Sequence, residues 1–203
     1  MAPTTYGACN AGAVLLVTLY LQEGRGLRPL LPGLCFIPQA VGAFALAGPA
    51  SKLVPALGPR RALALGMSLA MLALVGSALS VARGPLGGLL VSLFVMGVSA
   101  RIVQVASTLA GTSGPVAARG EGSTSAVLTA SRQVGSALGV AILSATLITV
   151  HGNASRRTAK AMLVAAAFAI VGLLTTRIVP RGPAQPLLLR LEHLFPRHAG
   201  GLP

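Results

Sequence analysis

Glu121-Gly-Ser-Thr-Ser-Ala-Val-Leu-Thr-Ala-Ser-Arg-Gln-Val-Gly-Ser-Ala-Leu-Gly-Val-Ala-Ile-Leu-Ser-Ala-Thr-Leu-Ile-Thr-Val150 contains, from Ser123 onward, a run of membrane length that still carries hydroxyls, glycines and one arginine. At 100° per residue, Ser125, Thr129, Arg132, Ser136 and Gly139 fall within about 80° of one another on a helix. Val127, Val134, Leu138, Ala141, Ala145 and Ile148 take the opposite side. In hydrocarbon a lone segment satisfies its backbone groups only as a helix, and a polar stripe on it belongs against protein or a water-filled cavity. The stretch reads as a transmembrane helix bordering a pathway.

The rest of the chain agrees with a membrane setting. Its 203 residues are 54% hydrophobic and 9% charged, with mean hydropathy +0.79, against roughly 25% charged in soluble domains. Six apolar segments, about 6–22, 30–50, 62–81, 85–111, 123–150 and 161–179, each approach the roughly 20 residues that cross about 30 Å of hydrocarbon. The fold class expected is an all-α integral membrane protein, one six-helix transmembrane bundle over 1–179 followed by a cytoplasmic tail over 180–203. Leu187, Leu188, Leu191, Leu194 and Phe195 in that tail suit either a short interfacial helix or a frayed end.

Lys and Arg in short connections set orientation. With the N-terminus inside, Lys52, Arg60, Arg61, Arg119, Arg177, Arg181, Arg190 and Arg197 are cytoplasmic, and Arg25, Arg28, Arg83, Arg156, Arg157 and Lys160 are outside. The balance favours both termini in the cytoplasm of a multi-pass protein of the cell membrane. Residues 6–22 lack the positive leader and cleavage site of a signal peptide and are read as a retained span whose beginning is missing. Net charge is +13, yet the cations are scattered and aromatics are 3%, so no basic face or stacking platform for nucleic acid forms.

A second polar stripe lies on the fourth segment, where Gly97, Arg101, Gln104, Thr108 and Thr112 share one face. An arginine at mid-helix costs about 2.5–3.5 kcal/mol on insertion scales, which a wet cavity, a partner or snorkelling to the interface must offset. Asn10 and Gln39 add smaller polar faces to the first two segments, suited to a cavity wall or to interhelical hydrogen bonding. The substrate-cavity candidates are thus Asn10, Gln39, Arg101, Gln104, Thr108, Thr129, Arg132 and Ser136. Ser131, Gly135 and Gly139 form a small-residue face for helix packing.

Catalytic and metal chemistry find no support in the sequence. Gly111-Thr-Ser-Gly114 resembles the serine motif of rhomboid-type proteases, but His151 emerges about 42 Å of helix from Ser123, on the opposite membrane face. His193 and His198 lie in the tail. No P-loop, metal-ligand cluster or cofactor motif is present, and Cys9 and Cys35 sit in helices with no disulfide spacing. No catalytic residue, metal or cofactor is expected. The three acids, Glu23, Glu121 and Glu192, all fall in connections or the tail. None is a membrane-buried carboxylate able to titrate for proton coupling.

Tyr20-Leu-Gln22, Gly26-Leu27, Pro29, Gly33-Leu34 and Pro38, followed by Ser51-Lys-Leu-Val-Pro-Ala-Leu-Gly-Pro-Arg-Arg61 and Ser131-Arg-Gln-Val-Gly-Ser-Ala-Leu-Gly-Val-Ala141, resemble the fourteen-helix drug:proton antiporters of the major facilitator superfamily, the EmrB/QacA type. The similarity runs from about Tyr6 to Val179 and covers only the C-terminal six-helix half. It implies a multidrug efflux transporter working by proton-coupled antiport, a half that needs an N-terminal half, exporting hydrophobic small molecules, cations among them. Gly58, Arg60 and Arg61 match the family's cytoplasmic loop motif, whereas Pro55 stands where its acid belongs. The resemblance also implies that the first, second, fourth and fifth spans line the cavity and the third and sixth are peripheral. The alternative is a non-transporting remnant or a membrane assembly partner that needs a separately made N-terminal half; a third is a self-sufficient homodimer with a second copy, against which the missing carboxylate argues.

Overall fold

The computed structural model describes residues 2–112, 121–149 and 154–175. Among them every element is helical: α1 (Ala2–Leu19), closed by a π-helical turn (Tyr20–Gly24), then α2 (Leu30–Cys35), α3 (Ile37–Ala45), α4 (Ala47–Leu57), α5 (Pro59–Arg83), α6 (Leu86–Thr112), α7 (Glu121–Thr149) and α8 (Ala154–Thr175). Five helices are long and apolar enough to cross a membrane, and the bent α2–α4 segment supplies a sixth if it counts as one span. The tail beyond 175, with His193 and His198, and the pair Ser113 and His151 lie outside the described residues.

Prolines decide where the second segment breaks. Pro49 has no N–H for the Ala45 carbonyl, and its ring crowds that carbonyl, so α3 stops at Ala45 and α4 starts at Ala47. In the first turn of α4 the missing donor costs nothing. The two helices meet at 54°. Pro38 acts in the same way at the preceding break, opening α3 where α2 ends. The stretch Ser51–Arg61, expected as a connection, is therefore helical through Leu57. It ends where Gly58 adopts φ +79° and hands the chain to Pro59 at the first turn of α5, a backbone angle that favours glycine. Arg60 is half-buried and Arg61 exposed in that turn. The last helix begins at Ala154, before the expected 161, because Arg156, Arg157 and Lys160 extend it past its apolar part. Arg157 donates to the Leu147 carbonyl through Nε (2.9 Å) and an Nη (2.6 Å), satisfying a group in the last turns of α7.

α5 is the hub. It packs on α6 along one side and on α8 along the other, while α1 packs on α7 and α8, and α3 and α4 pack on α6. Ala62, Met67, Ala70, Leu74 and Val81 of α5, Leu89, Leu93 and Val103 of α6, and Leu16, Val17 and Leu21 near the end of α1 are buried together. The family resemblance implies that the third span is peripheral and the fifth lines the cavity; within this chain about half of the α5 span is buried, against 17% of the α7 span.

Small residues set how closely the helices approach. Lipid tails are as apolar as leucine, so helix association in a bilayer depends on close van der Waals packing more than on hydrophobic transfer. A Cβ on Gly135 would strike the Thr4 carbonyl, and one on Gly139 would strike Ala8. Gly7 answers from α1, beneath the Arg132 carbonyl and Ser136. α3 and α6 show the same arrangement, with Gly42 against Phe94 and Gly97 against Gln39.

Candidate functional site

The stripe on α6 faces the bend between α3 and α4. Gly97 starts it, letting the α3 backbone at Gln39 and Ala43 lie directly on α6. One turn further, α4 diverges by 54°, and the space it vacates is a groove of about 390 Å³ lined by Ala47, Arg101, Gln104, Val105, Thr108 and Leu109. The helical spacing of Arg101, Gln104 and Thr108 puts all three on this wall. Thr108 Oγ1 donates to the Gln104 backbone carbonyl at 3.1 Å, and Gln104 is itself exposed.

Arg101 is half-buried, and its Nε is fully enclosed with no hydrogen-bond partner among the described residues. A buried guanidinium nitrogen without a partner is costly. The Ser107 hydroxyl, on the same helix, is likewise buried without a partner among the described residues.

Asn10 and Gln39 come together elsewhere. Gln39 Nε2 donates to Asn10 Oδ1 at 3.1 Å, tying α3 to α1. Both amides are half-buried, so this pair serves interhelical bonding.

α7 does not share the α6 groove. Ser136 Oγ donates to the Arg132 carbonyl at 2.9 Å and to the Gly7 carbonyl at 3.3 Å, so this section of the stripe docks on α1. Arg132 and Ser131 are half-buried, Thr129 is exposed and donates to the Ser125 carbonyl at 2.9 Å, and Gly135 and Gly139 are buried in the α1 contact. Val127, Val134, Leu138, Ala141, Ala145 and Ile148 all point outward. Seven of the eight sequence candidates thus divide into three places, the α6 groove (Arg101, Gln104, Thr108), the Asn10–Gln39 pair and the α1–α7 seam (Arg132, Ser136), while Thr129 stays exposed on α7.

Several participants carry no sequence signal. Ala47, Val105 and Leu109 complete the groove, yet nothing distinguishes them from lipid-facing or core residues. Arg25 forms a clamp at the end of the bundle: its Nε donates to the Tyr20 hydroxyl at 3.2 Å, its guanidinium lies 5.9 Å over that ring, and an Nη donates to the Gly84 carbonyl. The π-helical turn goes with this geometry, since the Arg25 N–H closes it on the Tyr20 carbonyl at 3.1 Å.

Among the described residues no three His, Cys, Asp or Glu side chains gather to hold a metal, and both cysteines are free. The one acid whose side chain is described, Glu23, is exposed in the π-helical turn. What the groove offers chemically is one cation, an amide and a hydroxyl on an otherwise apolar wall. No family model, curated protein or solved structure matches this chain.

Proposed function

We propose that this chain is half of a membrane transporter, a six-span bundle whose α6 groove forms one wall of a path for hydrophobic small molecules leaving the cell. The observation that carries the reading is Arg101, a mid-helix cation with an enclosed, unpartnered nitrogen in a groove, because intramembrane charge is retained at cost and marks pathways. Support for efflux by proton antiport comes from the sequence resemblance alone. The coupling carboxylate is then supplied by a separate N-terminal half, since the described spans bring none into the groove. Both termini lie in the cytoplasm and the protein resides in the cell membrane.

A second reading, a non-transporting membrane assembly partner, is favoured by the outward apolar face of α7, which suits a partner as well as lipid.

Transport is tested by loading cells with a fluorescent hydrophobic dye and following efflux with the chain alone and with an N-terminal half co-expressed. Efflux that requires both halves and the proton gradient is expected. Gradient-driven efflux by the chain alone contradicts its being a half; no efflux from the pair contradicts transport.

A further inference from the structure

We propose that the α6 groove binds the carboxylate of an amphiphilic organic acid, with Arg101 as its counter-charge, and excludes cations of the same shape. This deepens the transport reading by naming the ligand's charge, and it departs from the cationic cargo implied by the family resemblance. Arg101 faces the groove, and the described lining adds no acid to neutralise it. A cation entering meets like charge, whereas an anion brings a counter-charge to the guanidinium. Arginine is suited to this because its planar fork pairs with a carboxylate through two parallel hydrogen bonds. Gln104 and Thr108, one and two turns further on the same face, add an amide and a hydroxyl to the lining. Ala47, Val105 and Leu109 provide the apolar wall for a hydrocarbon tail.

Depth and size identify a solute as the occupant in preference to a bilayer phospholipid. Arg101 lies fifteen residues from Leu86 and eleven from Thr112, about 22 Å and about 16 Å along the helix. That is close to the middle of α6, whereas phospholipid phosphates sit at the membrane faces, about 15 Å or more from the bilayer centre. The volume of about 390 Å³ falls at the lower end of the roughly 300–1,000 Å³ typical of small-molecule sites.

The test measures binding by the full chain in phosphatidylcholine nanodiscs, using dansyl-undecanoic acid, its methyl ester and the primary amine of equal chain length. The acid is expected to bind about tenfold or more tightly than either analogue, and R101Q to remove that preference. R83Q, which deletes an exposed cation elsewhere, should leave it intact. A47F, which fills the groove without touching the charge, should also abolish acid binding, and stands as the reading if R101Q does not fold. Equal binding of amine and acid overturns the proposal, as does acid binding that survives A47F. Replacing a fifth of the lipid with phosphatidylglycerol should leave acid binding unchanged; displacement by that lipid reassigns the groove to headgroups and overturns the solute assignment. Acid binding without efflux from the paired halves sinks transport and leaves this site standing, so the two failures are distinguishable.

Discussion

Gly139→Ala tests whether the α1–α7 seam is held by contact between backbones. The new methyl would lie on Ala8 Cα and its carbonyl, well inside van der Waals distance, and neither is a flexible side-chain end that can swing away. The helices must separate by on the order of 1 Å, and a gap of that size forfeits a quarter to a half of each neighbouring dispersion contact. Overpacking of this kind costs about 1–3 kcal/mol. Gly135→Ala meets the Thr4 carbonyl one turn away and should cost a similar amount. The double variant should cost less than the sum, because one displacement relieves both collisions. Alanine also gains up to about 1 kcal/mol over glycine as a helix former, so the sign of the net effect reports the collision. Gly87→Ala is the control: nothing lies within 4 Å of its Cβ position, and it should be neutral or slightly stabilising. Steric-trap unfolding in bicelles measures all four. Gly139→Ala as stable as Gly87→Ala would refute a seam built on backbone contact.

Three further outcomes are expected. Asn10→Leu or Gln39→Leu alone should cost about 1 kcal/mol by orphaning the other amide, while the double variant recovers some of that loss in a mutant cycle. Pro49→Ala restores a donor for the Ala45 carbonyl and should reduce the 54° bend, which spin labels at the exposed Leu34 and Leu53 will register as a changed distance; an unchanged distribution assigns the bend to packing on α6. Arg25→Ala removes the clamp on Tyr20 and Gly84, so hydrogen exchange at the α5–α6 turn should rise while α7 exchanges as before.

The all-helical architecture was readable because a run such as Ser123–Val150 has one structural solution in hydrocarbon, and its wheel separates Gly139 and Ser136 from the exposed Val134 and Leu138, whereas Ser125 and Thr129 of the same stripe are exposed. The groove was half readable. Arg101, Gln104 and Thr108 announce themselves as polar residues on an apolar helix, whereas Ala47, Val105 and Leu109 look alike in core, groove or lipid because the solvent is as apolar as they are. The bend followed from Pro49, visible in the sequence, but whether a proline ends a span or redirects it depends on what the next segment packs against. The Arg25 clamp was hidden because it depends on a π-helical turn that residue spacing does not encode. The separation of the α6 and α7 stripes was hidden for a different reason: a helical wheel gives the face of each helix and says nothing of which neighbour it meets.

Thiol labelling tests most directly whether the α6 stripe borders a water-accessible path through a membrane bundle. In a background with Cys9 and Cys35 replaced by alanine, Gln104→Cys in the groove and Val134→Cys on the outward face of α7, both exposed, are treated with a membrane-impermeant methanethiosulfonate in intact bilayers. On the proposed reading water reaches the groove and lipid covers α7, so Gln104→Cys should react and Val134→Cys should stay protected. Equal protection of the two contradicts a wet path along α6, and equal reactivity contradicts the membrane setting of α7.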